Sequence, residues 1–142
     1  MCCGCAIIAG VPIRTKRWND RREEQDGFRL LICRIRPRGV SRANETWDEW
    51  WPDLGPSREL LAAFQGRTGA VPLQWLAYSA RYIEEMTRQT FRIRSLTDRN
   101  AASETVTLLC SAACTDEARC HRTLLARVIE RVTSESGRRR RP

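Results

Sequence analysis

The one histidine of the chain, His121, stands between Cys120 and Arg122, eleven residues after Cys110. A cysteine thiolate is a nucleophile, and an imidazole can take its proton or activate an attacking water. Neighbouring residues at a helix start point in different directions, so Cys120 with His121 makes a poor dyad. Cys110 is the better partner for His121. A helix start also offers free amide donors and partial positive charge, which suit an anion and lower the pKa of a cysteine held among them. Flanked by Arg119 and Arg122, Cys120 is expected to carry the reactive thiolate, whereas Cys33 lies in an apolar run and should be buried and inert. Arg34, Arg36 and Arg38 form a second cationic group, and guanidinium groups hold phosphates and carboxylates through paired hydrogen bonds. The candidate catalytic residues are therefore Cys110, Cys120 and His121, with Arg34, Arg38 and Arg122 as candidate anion ligands.

Other chemistry on the same residues is disfavoured by spacing. Cys110, Cys114, Cys120 and His121 have zinc-type donor atoms, but two close pairs are missing and Cys120 and His121 would have to ligate as neighbours. No metal and no cofactor are expected. Cys2 and Cys5 have a ligand-like spacing at a terminus expected to fray. The Cys-x5-Arg pattern of a phosphatase loop is absent around the three late cysteines.

The elements that must position these groups are legible from the apolar pattern. Ile13 to Trp18 suits a short strand, and Phe28 to Ile35 is the clearest strand, with Leu30 to Cys33 continuously apolar as in a strand buried on both faces. Pro37 and Gly39 end it. Residues 40–56 hold Trp47, Trp50 and Trp51, with room for a short helix over Ser41 to Trp51; the tryptophans read as packing residues rather than base-stacking platforms. Ser57 is an N-cap for a helix from Arg58 to Gln65, stopped by Gly66. Helices follow over Pro72 to Gln89, with a stripe of Trp75, Leu76, Ser79, Tyr82, Ile83 and Met86, and over Phe91 to Ala101. Thr105 to Cys110 is a strand, and Leu124, Leu125, Val128, Ile129 and Val132 define a helix from about Cys120. The order predicts an α/β fold: a single domain with a mostly parallel or mixed sheet flanked by helices. Residues 1–10 form a cysteine-rich leader, 11–135 the domain, and 136–142 a disordered basic tail. In such a sheet, sites form beyond the carboxyl ends of the strands. If the two central strands are parallel neighbours, the arginines after the first converge with Cys110 and the Cys120-His121-Arg122 helix start.

Net charge is +8, from 25 basic and 17 acidic residues, and Lys16 is the sole lysine. Residues 14–42 hold ten bases against four acids and Arg138 to Arg141 add four more, while 43–137 hold eleven bases against thirteen acids. Two basic regions on a balanced body suit an anionic partner. A phosphorylated or nucleotide-type small molecule in the cleft is the first reading; nucleic acid bound by segment 14–42 and the tail is the alternative. A third is a partner-binding module whose arginines serve salt bridges. Seven cysteines without an export signal argue for reduced thiols and a cytoplasmic address. The longest apolar run, Ala6 to Ile13, is too short to span a membrane.

The line from Asp26 to Val40, through Cys33-Arg-Ile-Arg-Pro-Arg-Gly39, resembles the strand and Trp-Pro-Arg-Gly turn of the YeaO-like proteins. Trp51 to Ser57 resembles their Leu-Ala-Pro-Ser segment, and Arg81-Tyr82 with Glu85-Met86 their Arg-Tyr…Glu-Leu helix. Thr107 to Cys110 and Cys120-His121-Arg122 are similar to the strand and Cys-His-Arg helix start of the broader domain-of-unknown-function 488 family. The similarity covers about residues 13–132. Cys33 stands where that family has an aspartate and Arg36 where it has a tryptophan. The resemblance implies a fold and a site location, not a reaction.

Overall fold

Leu30, Leu31 and Ile32 are fully buried, as a continuous apolar run through a two-sided sheet requires. The computed structural model describes residues 12–139; the leader with Cys2, Cys3 and Cys5 lies outside them. Strands β1 (Arg14–Arg17), β2 (Phe28–Leu31), β3 (Glu49–Trp50) and β4 (Val106–Cys110) form one sheet in the order β1-β4-β2-β3. Every pairing is parallel. β4 is central, with Leu109 opposite Lys16 on one side and Leu31 on the other. The α/β fold read from the sequence is the observed one.

Helices α1 (Arg58–Phe64), α2 (Trp75–Met86), α3 (Thr90–Ala101) and α4 (His121–Arg139) all feed one core cluster. Their Leu60, Tyr78, Tyr82, Ile93, Leu96, Leu125 and Ile129 pack against Leu30, Ile32, Val106 and Leu108. The second cluster holds Leu31, Leu109, Trp47, Cys33, Cys110 and Cys120, without any residue of the four helices. The second face is thus closed by loops and by Trp47 set edge-on to Trp18, in keeping with a packing role for this tryptophan.

Four expectations need correction. Segment 41–51 forms a 3-10 turn at Arg42–Asn44 and then β3, not a helix. The exposed edge of β2 overrides local preference there: Asp48 N donates to Arg29 O at 2.8 Å and Trp51 N to Leu31 O at 2.9 Å. Second, β2 ends at Leu31 rather than Ile35; one further ladder bond joins Ile32 N to Leu109 O, after which the chain leaves the sheet. Third, Leu76 is 81% exposed, and Tyr78 takes the core position on α2 beside Tyr82 and Met86. Fourth, α4 continues to Arg139 although its apolar pattern stops earlier. Arg138 and Arg139 occupy its last turn, where cations complement the helix dipole.

Candidate functional site

Two strand ends and one helix start build the site. Because β2 and β4 are parallel neighbours, Cys33 and Arg34 after β2 emerge beside Cys110 to Cys114 after β4. The connection then returns through a 3-10 turn at Glu117–Arg119, capped by the Asp116 carboxylate on Ala118 N, and delivers Cys120 and His121 to the start of α4. These residues line a cleft of about 730 Å³ together with Trp18, Phe64, Tyr78, Arg38 and Arg119.

The residues that carried the family resemblance on α2 shape one wall. Ser57 caps α1 by accepting from Leu60 N at 3.1 Å, and Glu85 accepts from both Ser57 N (2.8 Å) and Ser57 Oγ (2.5 Å). Tyr82 donates its hydroxyl to Leu54 O at 2.7 Å. Together they fix the 52–57 turn, whose Gly55 lies so close to the Cys33–Arg34 backbone that a Cβ would meet Arg34 N at 2.5 Å. The turn in turn occupies Arg34: its Nε donates to Pro56 O at 3.1 Å and its second terminal nitrogen to Gly55 O at 2.9 Å. Arg34 therefore lines the cleft with its guanidinium committed to backbone carbonyls.

The other predicted anion ligands separate. Arg38 is exposed and lines the cleft. Arg122 is only 5% exposed and does not line it. It sits behind the cysteines, where its charge acts on Cys114 and on Asp20. Its Nε is buried without a hydrogen-bond partner. Arg119, named from the sequence only as a flank of Cys120, is a lining residue.

The cysteines converge more tightly than their spacing suggested. The sulfurs of Cys110, Cys114 and Cys120 all lie within 4.8 Å of one another. Cys33 is buried, as its apolar run predicted, and packs in the same cluster as Cys110 and Cys120, a neighbourhood the sequence reading did not foresee. The parallel register of β2 on β4, with Leu31 opposite Leu109, brings the two chain segments to the same end of the sheet. The geometric objection to a metal set also falls, because the three cysteines gather without His121 as a neighbouring ligand.

Electrostatics distinguishes the three sulfurs. The neighbouring Cys110 and Cys114 sulfurs, together with burial, push the Cys120 thiol up. Cys110 is raised as well, first by the neighbouring Cys114 sulfur. Cys114 is lowered by the Cys110 and Cys120 groups beside it, with Arg122 and His121 adding to the effect and burial opposing it. Exposure separates them as well: Cys120, the thiolate expected from the sequence, is 3% exposed, whereas Cys114 is half-buried and is the more accessible sulfur.

His121 is 7% exposed, and burial lowers its pKa, partly offset by its bond to Ile32. The carbonyl of Ile32, 2.9 Å from Nε2, can only accept, so the ring proton sits on Nε2. Nδ1 then faces the Cys110 sulfur at 3.9 Å as an acceptor. Tyr82 packs on the ring at 5.5 Å. The arrangement provides a neutral imidazole beside a protonated thiol.

Residues 13–133 match the family model DUF488-N3a, described as the active DUF488-N3 subclade. The chain is 32% identical over 102 residues to the uncharacterized protein YeaO of Escherichia coli K12, covering 72% of this chain and 84% of that one. It is 26% identical over 125 residues to the uncharacterized protein Rv3073c of Mycobacterium tuberculosis H37Rv, covering 87% and 98%. The uncharacterized protein Mb3100c of Mycobacterium bovis is similar to the same extent. No solved structure matches the chain.

Proposed function

The chain belongs to the DUF488-N3 subclade, and from that premise we propose that it binds, and acts on or senses, an anionic small molecule of phosphorylated or nucleotide type. The carrying observation is the cleft beyond the carboxyl ends of β2 and β4, where Arg38 and Arg119 stand beside Cys110, Cys114, Cys120 and His121. Among the described residues neither arginine has an ion-pair or hydrogen-bonding side-chain partner. Asp116 is the one carboxylate lining the cleft, and it is engaged in capping Ala118 N. A cleft plugged by its own acids would have favoured a purely structural use of the arginines. Open guanidinium groups next to nucleophilic and proton-accepting side chains favour an enzyme-like use.

The nucleic-acid reading draws less support. Of the ten cations in 14–42, seven are engaged: Arg14, Lys16 and Arg29 around Asp26, Arg17 on Asp20, Arg22 on Asp48, Arg34 on two carbonyls, and Arg36 on Glu45. A duplex-binding face needs charges free to replace counterions. The closely spaced unpaired thiols suit a reducing compartment, and the cytoplasm is the address that follows from this reading. No helix among the described residues is long and apolar enough to cross a membrane.

Calorimetric titration with inorganic phosphate and with a nucleoside diphosphate tests the proposal. Saturable binding should weaken roughly tenfold or more when Arg38→Gln and Arg119→Gln are combined, since two charge-assisted contacts are lost. Binding indifferent to the double substitution, or none by the parent chain, would overturn it.

A further inference from the structure

We infer that Cys110, Cys114 and Cys120 form a tri-thiolate site for a soft closed-shell cation of the zinc or cuprous class. Zinc–sulfur bonds of about 2.3 Å place tetrahedrally disposed sulfurs about 3.8 Å apart. Sulfurs already within 4.8 Å need at most about an ångström of contraction to meet that geometry. The ends of the set are fixed by the core, Cys110 closing the central strand and Cys120 abutting α4, both 3% exposed. Cys114 lies on the connection between them, where the backbone is free of strand or helix constraints and can adjust. The donor set is sulfur alone. Such a set selects zinc or Cu(I) and rejects magnesium and calcium, which require oxygen.

A second observation points the same way. Arg122 is a buried cation beside the cluster, its Nε lacks a partner, and among the described residues no carboxylate lies within ion-pair distance of it. A buried charge left in that state is costly. A metal tri-thiolate would place a net negative charge beside this cation, for three thiolates carry −1 with Zn(II) and −2 with Cu(I). Binding replaces sulfur-bound protons, released to solvent, with three metal–sulfur bonds, and no electron is transferred. All three cysteines line the cleft, and so does Cys33, so the position a fourth ligand would take is reached from the cleft or from Cys33. The site does not depend on the proposed anionic ligand.

The test uses the full chain, reduced and freed of metal, with the leader cysteines Cys2, Cys3 and Cys5 replaced by serine in a parallel sample to remove their thiols. Titration with Co(II) as a reporter should give thiolate-to-cobalt charge transfer saturating at one equivalent in both samples, displaced by Zn(II) or Cu(I). The ion that displaces at the lower concentration identifies the occupant. Cys114→Ser should weaken binding by roughly 100-fold or more while leaving the circular dichroism unchanged, and Arg122→Gln should weaken it less. Absence of charge transfer, one equivalent retained by Cys114→Ser, or loss of binding in the leader variant would overturn the inference. A negative result here with intact phosphate binding would reject the metal site alone.

Discussion

The two ends of the loop-covered sheet face are both buried and polar, yet they are chemically opposite. At the amino end, Asp26 and Arg29 are fully buried and ion-paired, and Lys16 and Arg14 reach Asp26 at 2.9 and 3.4 Å. Thr107 Oγ1 donates to Asp26 O at 2.7 Å, and Arg29 Nε to Thr46 O at 2.6 Å. Charge is met by charge: even Asp26 Oδ1, which lacks a hydrogen-bond partner, is ion-paired to Lys16 and Arg14. At the carboxyl end stand four unpaired thiols, a neutral histidine and the Arg122 cation with its orphaned Nε. The first region has the economy of a closed structural network; the second has chemistry left over. In one small sheet, the completed end tells which charges hold the fold, and the incomplete end tells where to look for a ligand.

The largest expected effect is on the completed end. Replacing Asp26 by asparagine leaves Arg29 buried without its counter-charge and should cost about 3–5 kcal/mol, the range for breaking a buried pair. Urea unfolding reads it directly, and a loss under about 1 kcal/mol would show the network to be dispensable. Acid titration sharpens the point. Burial alone would raise the Asp26 carboxyl, but the Glu23 amide, Lys16 and Arg29 outweigh it and hold the group at about 2, below its ordinary 3.8. A depressed carboxylate stabilises the fold above its unfolded value and ceases to do so as pH falls through the folded value. About 2 kcal/mol should therefore vanish between pH 4 and about 2. Asp26→Asn should lack that component of the slope.

A smaller contrast is expected within the incomplete end. In metal-free reduced protein, alkylation followed by peptide mapping should label Cys114 roughly tenfold or more faster than Cys110 or Cys120, on grounds of exposure and thiolate character together. Equal rates would mean that the cluster opens as a unit. Smallest of all is the effect of deleting residues 137–142, the described ones of which contribute to neither region. Stability should change by no more than about 0.5 kcal/mol by thermal unfolding, because the last buried residue of α4 is Thr133.

The site illustrates how far local patterns reach. Its location, at the carboxyl ends of two parallel strands and the start of α4, followed from apolar periodicity and the Cys120-His121-Arg122 triplet. The roles within it did not. Arg34 and Arg38 look equivalent in the chain, but the 52–57 turn occupies one guanidinium and leaves the other in the cleft. Cys120 has the helix start and flanking arginines that ordinarily favour a thiolate, yet the fold buries it among neighbouring sulfurs and leaves Cys114 the more exposed.

By itself the sequence determined the three principal strands, the helices, the capping of α1 by Ser57 and the two-sided burial of Leu30 to Ile32. All of these rest on near-neighbour periodicity and side-chain size. Only the tertiary structure decided that Glu49–Trp50 would pair as a strand, that the helices would share one face, that seven cations of the basic segment would be neutralised, and that three distant cysteines would meet. Each of those outcomes depends on contacts between residues far apart in the chain. Their energies come from partners that no local window contains.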